Sequence, residues 1–244
     1  MKDNFGLLRE YVRKILQESV TSPDVSSLGA LIQNSGNEKQ VVIFKYDLIY
    51  AALSRKKEEE DTFNFLVDNI KKSIVGYGIF GPPDEGNAYG AWEVTHAAAP
   101  NLGKILYGIG YAISPSGLLM SDRHQVSFEA DAAWKKASKE RNHFKLDNLP
   151  PNNKTKSTED DAELHDTPGK EHLDYAYESQ GWEKSITARL VAQGKTALIE
   201  LSDAVNRDKS AISNAFFAMG THFFGEQYKN MVERRKKKEK ESSS

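Results

Sequence analysis

An α/β (α+β) fold, with a mixed central sheet and flanking helices, is predicted for this chain, and two observations carry the prediction. Between Ala91 and Trp134 the apolar period changes from strand-like to helix-like twice, in the order strand, tight turn, helix, strand, helix. Just ahead of that stretch, Ser73 to Gly81 alternates as a strand and is followed by PPDEGN, a turn cluster that joins two strands as an antiparallel hairpin. Strands joined through a helix usually lie parallel. The sheet is therefore expected to be antiparallel through the strand at Ala91 and parallel or splayed beyond it.

Each element has a local reason. At the amino end, Leu8, Tyr11, Val12, Ile15 and Leu16 fall on one helical face and Arg9, Glu10, Arg13 and Lys14 on the other, which predicts an amphipathic helix over 1–19. Residues 20–40 are rich in Ser, Asn, Gly and Asp, with only a short apolar patch from Leu28 to Ile32, and read as a linker. Val41 to Phe44 is a β-branched and aromatic run that suits a strand. Leu48 to Ile70 is mostly helical around the solvated charge run SRKKEEED. Gly76 and Gly78 in the next strand mark either a close approach of backbone or ligand, or a simple bulge.

Trp92, Val94 and Thr95 suit a half-buried strand, which Pro100 and Asn101 stop. Leu102, Ile105, Leu106, Ile109 and Ile113 then form a helical stripe that Pro115 and Gly117 end. Leu118 to Met120 reads as a strand, Ser127 as a cap for a helix bearing Phe128, Ala130, Ala133 and Trp134, and His143 to Leu146 as a last short strand, closing a domain over 41–147. Residues 148–171, with paired prolines and an acidic cluster, are too polar to bury a core and read as a flexible linker. Over 172–244 a helical extension is expected, with helices flanking Gly194, a final helix capped by Asp208 or Ser210, and a basic tail.

Composition narrows the function classes. With 33 basic and 35 acidic side chains there is no global field for nucleic acid, so any such contact would be local, through Arg234, Arg235, Lys236, Lys237 and Lys238. The absence of cysteine excludes a thiol nucleophile and thiolate metal sites, and the 6 histidines show no paired metal spacing, so no metal is expected. No apolar run reaches the length of a membrane span, so no membrane partner is expected. Neither GxSxG nor GxxxxGK[ST] occurs, which removes the corresponding hydrolase and P-loop readings.

Chemistry concentrates where the strand at Ala91 feeds a helix. A tight turn into a helix exposes backbone amides that favour an anion, here those of Leu102, Gly103, Lys104 and Ile105, with the Lys104 ammonium adding a point charge. Asp122, Arg123 and His124 form a polar cluster just past the next strand end, the usual place for a ligand in such a sheet; the bland alternative is that they pin the turn. Over roughly residues 73–147 the chain resembles the acetyl-CoA-binding core of the GNAT acetyltransferase superfamily, and more closely the degenerate acetyltransferase-like proteins of large tailed bacteriophages. The family loop, Gln/Arg-x-x-Gly-x-Gly/Ala, falls on Ala98, Ala99, Pro100, Asn101, Leu102 and Gly103; Gly103 fits fully, Asn101 can adopt the left-handed conformation of a glycine, and Ala98 lacks the polar side chain.

The resemblance implies acetyl-CoA as cofactor, Glu93 as a base on the central strand, and a tyrosine that reprotonates the leaving thiolate. Tyr107 is the candidate acid, because Trp134 occupies the later helix from which the family usually supplies it. His96, three residues beyond Glu93, is expected on the opposite face of the sheet. For Glu93 a surface ion pair, and for His96 a satisfied partly buried ring, are the competing readings. Residues 1–18 are similar to the capsid-targeting propeptides of phage internal head proteins, with Leu16, Gln17 and Glu18 fitting the Leu/Ile-x-Glu cleavage site. That resemblance implies phage head or scaffold proteins as partners and a location in the host cytoplasm or the virion. Two function classes follow: an acetyltransferase acting on an amine, or a GNAT-fold virion or interaction protein without catalysis.

Overall fold

The computed structural model describes residues 25–55, 62–83, 90–121, 126, 128–146 and 171–242. Its centre is a seven-stranded mixed sheet with the spatial order β1-β2-β3-β4-β5-β7-β6. The strands are β1 (Leu28–Ser35), β2 (Glu38–Lys45), β3 (Ile74–Gly81), β4 (Trp92–Ala98), β5 (Leu118–Ser121), β6 (His143–Lys145) and β7 (Tyr175–Glu178). Among the described residues the helices are α1 (Tyr46–Leu53), α2 (Thr62–Ser73), α3 (Gly103–Ile113), α4 (Phe128–Glu140), α5 (Trp182–Val205) and α6 (Lys209–Ser242), and a 3₁₀ turn covers Glu171–Asp174. β1 through β4 pair antiparallel, β4 and β5 pair parallel, and β7 pairs antiparallel with both β5 and β6. The expected change from antiparallel to parallel pairing thus occurs at β4, where α3 provides the crossover.

Alternation along the strands places the two larger of three core clusters on opposite faces of the sheet, the third being Ala91, Leu118, Met120, Leu146 and Ala176. Val41, Ile43, Phe80, Val94 and Leu119 face α3 and α4, meeting Ile105, Leu106, Ile109 and Trp134. Val42, Phe44, Ile74 and Tyr77 face the other way and meet Ile49 of α1, Leu66 and Ile70 of α2, and Ile212, Phe216 and Phe217 of α6. Helix α5 contributes Leu190 to the first layer and Ala197, Leu201 and Val205 to the second, so it crosses from one face to the other over edge strand β1. Gly194 sits at the crossing. A Cβ there would stand 2.8 Å from the Ala30 carbonyl carbon and overlap its oxygen, so only glycine allows helix and strand backbones to meet.

Several sequence expectations are corrected. The stretch 20–40 is not all linker, since Leu28–Ser35 is a strand whose buried half, Leu28 to Leu31, pairs with β2. Likewise 172–244 is not a purely helical extension: Tyr175–Glu178 enters the sheet between β5 and β6, and α5 and α6 complete its two faces. Gly194 does not separate two helices; α5 runs unbroken through it, because the close packing on Ala30 outweighs glycine's helix penalty of about 1 kcal/mol. A Cβ on Gly78 would meet Leu106 at 3.1 Å, so that glycine admits helix α3. The proposed amino-terminal helix over 1–19, the Ser127 cap and the 148–170 part of the second linker lie outside the described residues.

Candidate functional site

The chain leaves β4 through a turn dictated by two residues. Pro100 presets the first central position, Asn101 takes the second at φ 62°, and the Leu102 amide donates to the Ala99 carbonyl at 2.9 Å, the pattern of a type II turn. Asn101 thus adopts the left-handed conformation expected of it. Leu102 then caps α3 with its carbonyl, which accepts from the Ile105 amide at 2.9 Å and the Leu106 amide at 3.0 Å, while no side chain caps the helix. The consequence for the anticipated cradle is selective. Leu102 and Ile105 spend their amides within the turn, whereas among the described residues the amides of Gly103 and Lys104 meet no acceptor. Space in front of Gly103 is open, since an added Cβ would meet nothing within 4 Å. The Lys104 ammonium lies 5.1 Å from the Trp182 ring centroid, so α5 draws it along α3.

Among the described residues β4 runs further towards this helix than its parallel pairing with β5 does. β5 pairs with β4 only from Trp92 to Val94, yet β4 continues to Ala98 with β3 as its sole described partner. A bulge interrupts the pairing with β3: Phe80 opposes Val94 and Ile79 opposes His96, leaving Thr95 as the extra residue. The bulge also reverses the parity expected from spacing. Glu93, opposite in direction to Val94, and His96, whose ring packs edge-on to Phe224 of α6 at 4.9 Å, share the face of β4 that turns away from α3. His96 was expected on the opposite face from Glu93, and the extra residue is why it is not.

Glu93 is buried and directed away from the α3 layer, whereas Tyr107 belongs to that layer. Glu93 is the second residue of β4, whereas Tyr107 lies one turn into the helix that starts beyond the strand's other end, and the two stand on opposite sides of the sheet. Tyr107 packs edge-on against Trp134 with ring centroids 5.3 Å apart, and Trp134 stacks on Tyr177 at 5.5 Å. Burial pushes the Tyr107 hydroxyl up to about 12. It therefore stays protonated at neutral pH and serves as a hydrogen-bond donor, being too weak an acid to hand a full proton to a thiolate of ordinary basicity.

The sequence reading did not anticipate Asp131 and His172. In the first turn of α4, Asp131 Oδ1 lies 2.7 Å from Nε2 of His172, a buried ring on the 3₁₀ turn that leads into β7. Tyr177 donates its hydroxyl to the His172 carbonyl, and Ser121, the last residue of β5, donates to the Leu173 carbonyl at 3.4 Å. These contacts fix the turn at the carboxyl end of β5. Nothing local in the sequence signals the pair, because its members are 41 residues apart and His172 follows a stretch of linker composition.

Asp122, Arg123 and His124, and likewise residues 1–18, lie outside the described residues. The run from Arg234 to Lys238 is helical, as part of α6. Among the described residues no group of three His, Cys, Asp or Glu side chains is placed to hold a metal, and no helix is long and apolar enough to cross a membrane. Comparison with protein-family models, with curated proteins and with solved structures finds no match for this chain.

Proposed function

We propose that the chain binds acetyl-CoA at the carboxyl ends of β4 and β5 and transfers its acetyl group to an amine. One observation carries the reading: the Gly103 and Lys104 amides, which meet no acceptor among the described residues, open the helix that follows β4, the strand that pairs parallel with β5. Two aligned amides at the positive end of a helix suit a pyrophosphate, and the carboxyl end of a parallel strand pair is the usual place for a ligand in such a sheet. The likeness to the GNAT core at 98–103 belongs to the same reading. Bound acetyl-CoA would supply the activated thioester. On the protein side, Gly103 and Lys104 hold the anion, Leu102 and Ile105 shape the turn, Glu93 is the candidate base, and Tyr107 is a donor to the departing sulfur.

Calorimetric titration with CoA tests this reading. The wild-type chain is expected to bind, and Gly103→Val, whose side chain enters the open space before the helix, is expected to lose binding while keeping its thermal transition. Absence of heat in the wild type would remove the proposal. A second reading, a GNAT-fold interaction protein without turnover, is favoured by Phe224 of α6 lying over His96 and by the burial of Glu93, which close the face of β4 from which an acceptor would approach Glu93. That reading expects no heat on titration with CoA. It also accommodates a packaged phage protein, for which the amino terminus recovered from particles would begin at Ser19.

A further inference from the structure

We propose that His172, oriented by Asp131, is the base that deprotonates the acceptor amine, in place of Glu93; this rests on the acetyl-transfer reading above. The argument begins with topology. Helices α3 and α4 each start just beyond the carboxyl end of a parallel strand, α3 after β4 and α4 after β5, so their first turns stand at one end of the sheet. Asp131 is in the first turn of α4, and Trp134, three residues on, meets Tyr107, one turn into α3. The Asp131–His172 pair therefore occupies the same layer and the same end as the Gly103 and Lys104 amides. Glu93 points to the other side of the sheet.

The pair is built for proton transfer. Asp131 accepts from Nε2 at 2.7 Å, which assigns the proton of the neutral ring to Nε2 and leaves the lone pair on Nδ1; among the described residues Nδ1 meets no partner. The backbone of the same turn is tied by Tyr177 and Ser121, so the ring is held at both its side chain and its main chain. The titratable groups that accompany it are Asp131 on α4, Tyr177 on β7, and Glu171 and Asp174 on its own turn.

The step balances as follows. Nδ1 takes one proton from the acceptor ammonium; the amine nitrogen then forms a bond to the acyl carbon as the carbon–sulfur bond breaks, and the electron pair leaves on sulfur. A proton shed by the acylated nitrogen equals the one that converts the thiolate to free CoA thiol. The imidazolium returns its proton to solvent. Asp131 is a positioning residue, since it acts through the ring.

The test uses the full chain, acetyl-CoA and spermidine, with CoA affinity measured by calorimetry and thiol release followed by a thiol-reactive dye. The chain has no cysteine to contribute background. His172→Gln keeps a donor for Asp131 but offers no base. It is expected to bind CoA as the wild type does, keep its thermal transition, lose about 100-fold or more in turnover, and lose the ascending limb of rate against pH. Asp131→Asn is expected to lower kcat with CoA affinity unchanged. A His172→Gln variant that turns over at the wild-type rate per folded molecule, or keeps the limb, would overturn the assignment and leave acetyl transfer standing. A wild-type chain that binds no CoA, or binds it without releasing thiol, would overturn both.

Discussion

Arg141 Nη1 lies 2.8 Å from Oε1 of Glu183, a fully buried carboxylate, and the same nitrogen donates to the Glu178 carbonyl at 2.9 Å. Glu183 also accepts from the Gln180 amide, and the guanidinium stacks over Tyr111 at 4.2 Å, so one ion pair ties the residue after α4, the end of β7, the start of α5 and the last turn of α3. The carboxylate additionally sits in the first turn of α5, where the helix dipole favours it. Removing one partner leaves the other buried and unpaired. Glu183→Gln or Arg141→Met is expected to destabilise the chain by about 3–5 kcal/mol, whereas the double replacement Arg141→Met with Glu183→Leu should cost clearly less than the sum of the singles. Denaturant titration of the two single variants and the double variant reads this directly, and additive losses would contradict it.

The contact between α5 and β1 makes a second prediction. Gly194→Ala improves helix propensity, yet its Cβ would overlap the Ala30 carbonyl, which is backbone and cannot rotate away. Overpacking is expected to win, with a loss of about 1–3 kcal/mol. An alanine variant with an equal or higher midpoint would show that α5 does not bear on the strand as described.

Thr187 offers the opposite sign. Its Oγ1 is buried on α5 and has no hydrogen-bond partner among the described residues. Val has the same shape without the hydroxyl, so Thr187→Val is expected to stabilise by about 1 kcal/mol and to raise Tm by about 2–4 °C. A lowered Tm in calorimetry would indicate that the hydroxyl is satisfied in solution.

The buried tyrosines set an alkaline limit. Burial raises Tyr107 from the ordinary 10.0 to about 12, and it also raises Tyr111 and Tyr177. Above pH 10 the unfolded chain releases these protons before the folded chain does, so the unfolded state binds fewer protons and stability falls as pH rises. Their contribution is intact below about pH 10 and is lost between about pH 10 and 12. Tyrosinate absorbance should therefore show a late fraction that titrates together with unfolding; complete ionisation of a still-folded chain near pH 10 would count against it.

Some of this was legible in the residues. The turn at Pro100 and Asn101, the α3 stripe and the antiparallel hairpin ahead of it follow from local chemistry, and they appear as read. What escaped depends on partners distant in sequence. β1 ends in the polar residues Gln33, Asn34 and Ser35 and has a glycine at its second residue, so only its pairing with β2 makes it a strand. β7 is four residues long, too short for alternation to register, and it exists because β5 and β6 receive it on either side. The Thr95 bulge inverted the faces of β4, since counting by twos fails when one residue goes unpaired. Asp131 and His172 come together only when α4 and the turn before β7 pack at the same end of the sheet.

The path of α5 across β1 also bears on how this molecule keeps to itself. An open sheet ends in two rows of unpaired backbone groups, each a template on which another chain can grow. Here one border lies beneath a helix that a single glycine lets settle onto the strand, and the opposite border is β6, which offers just three residues. Displacing the helix would uncover an eight-residue strand flanked by Val41, Val42 and Ile43, so a substitution at Gly194 threatens solubility at high concentration as well as stability.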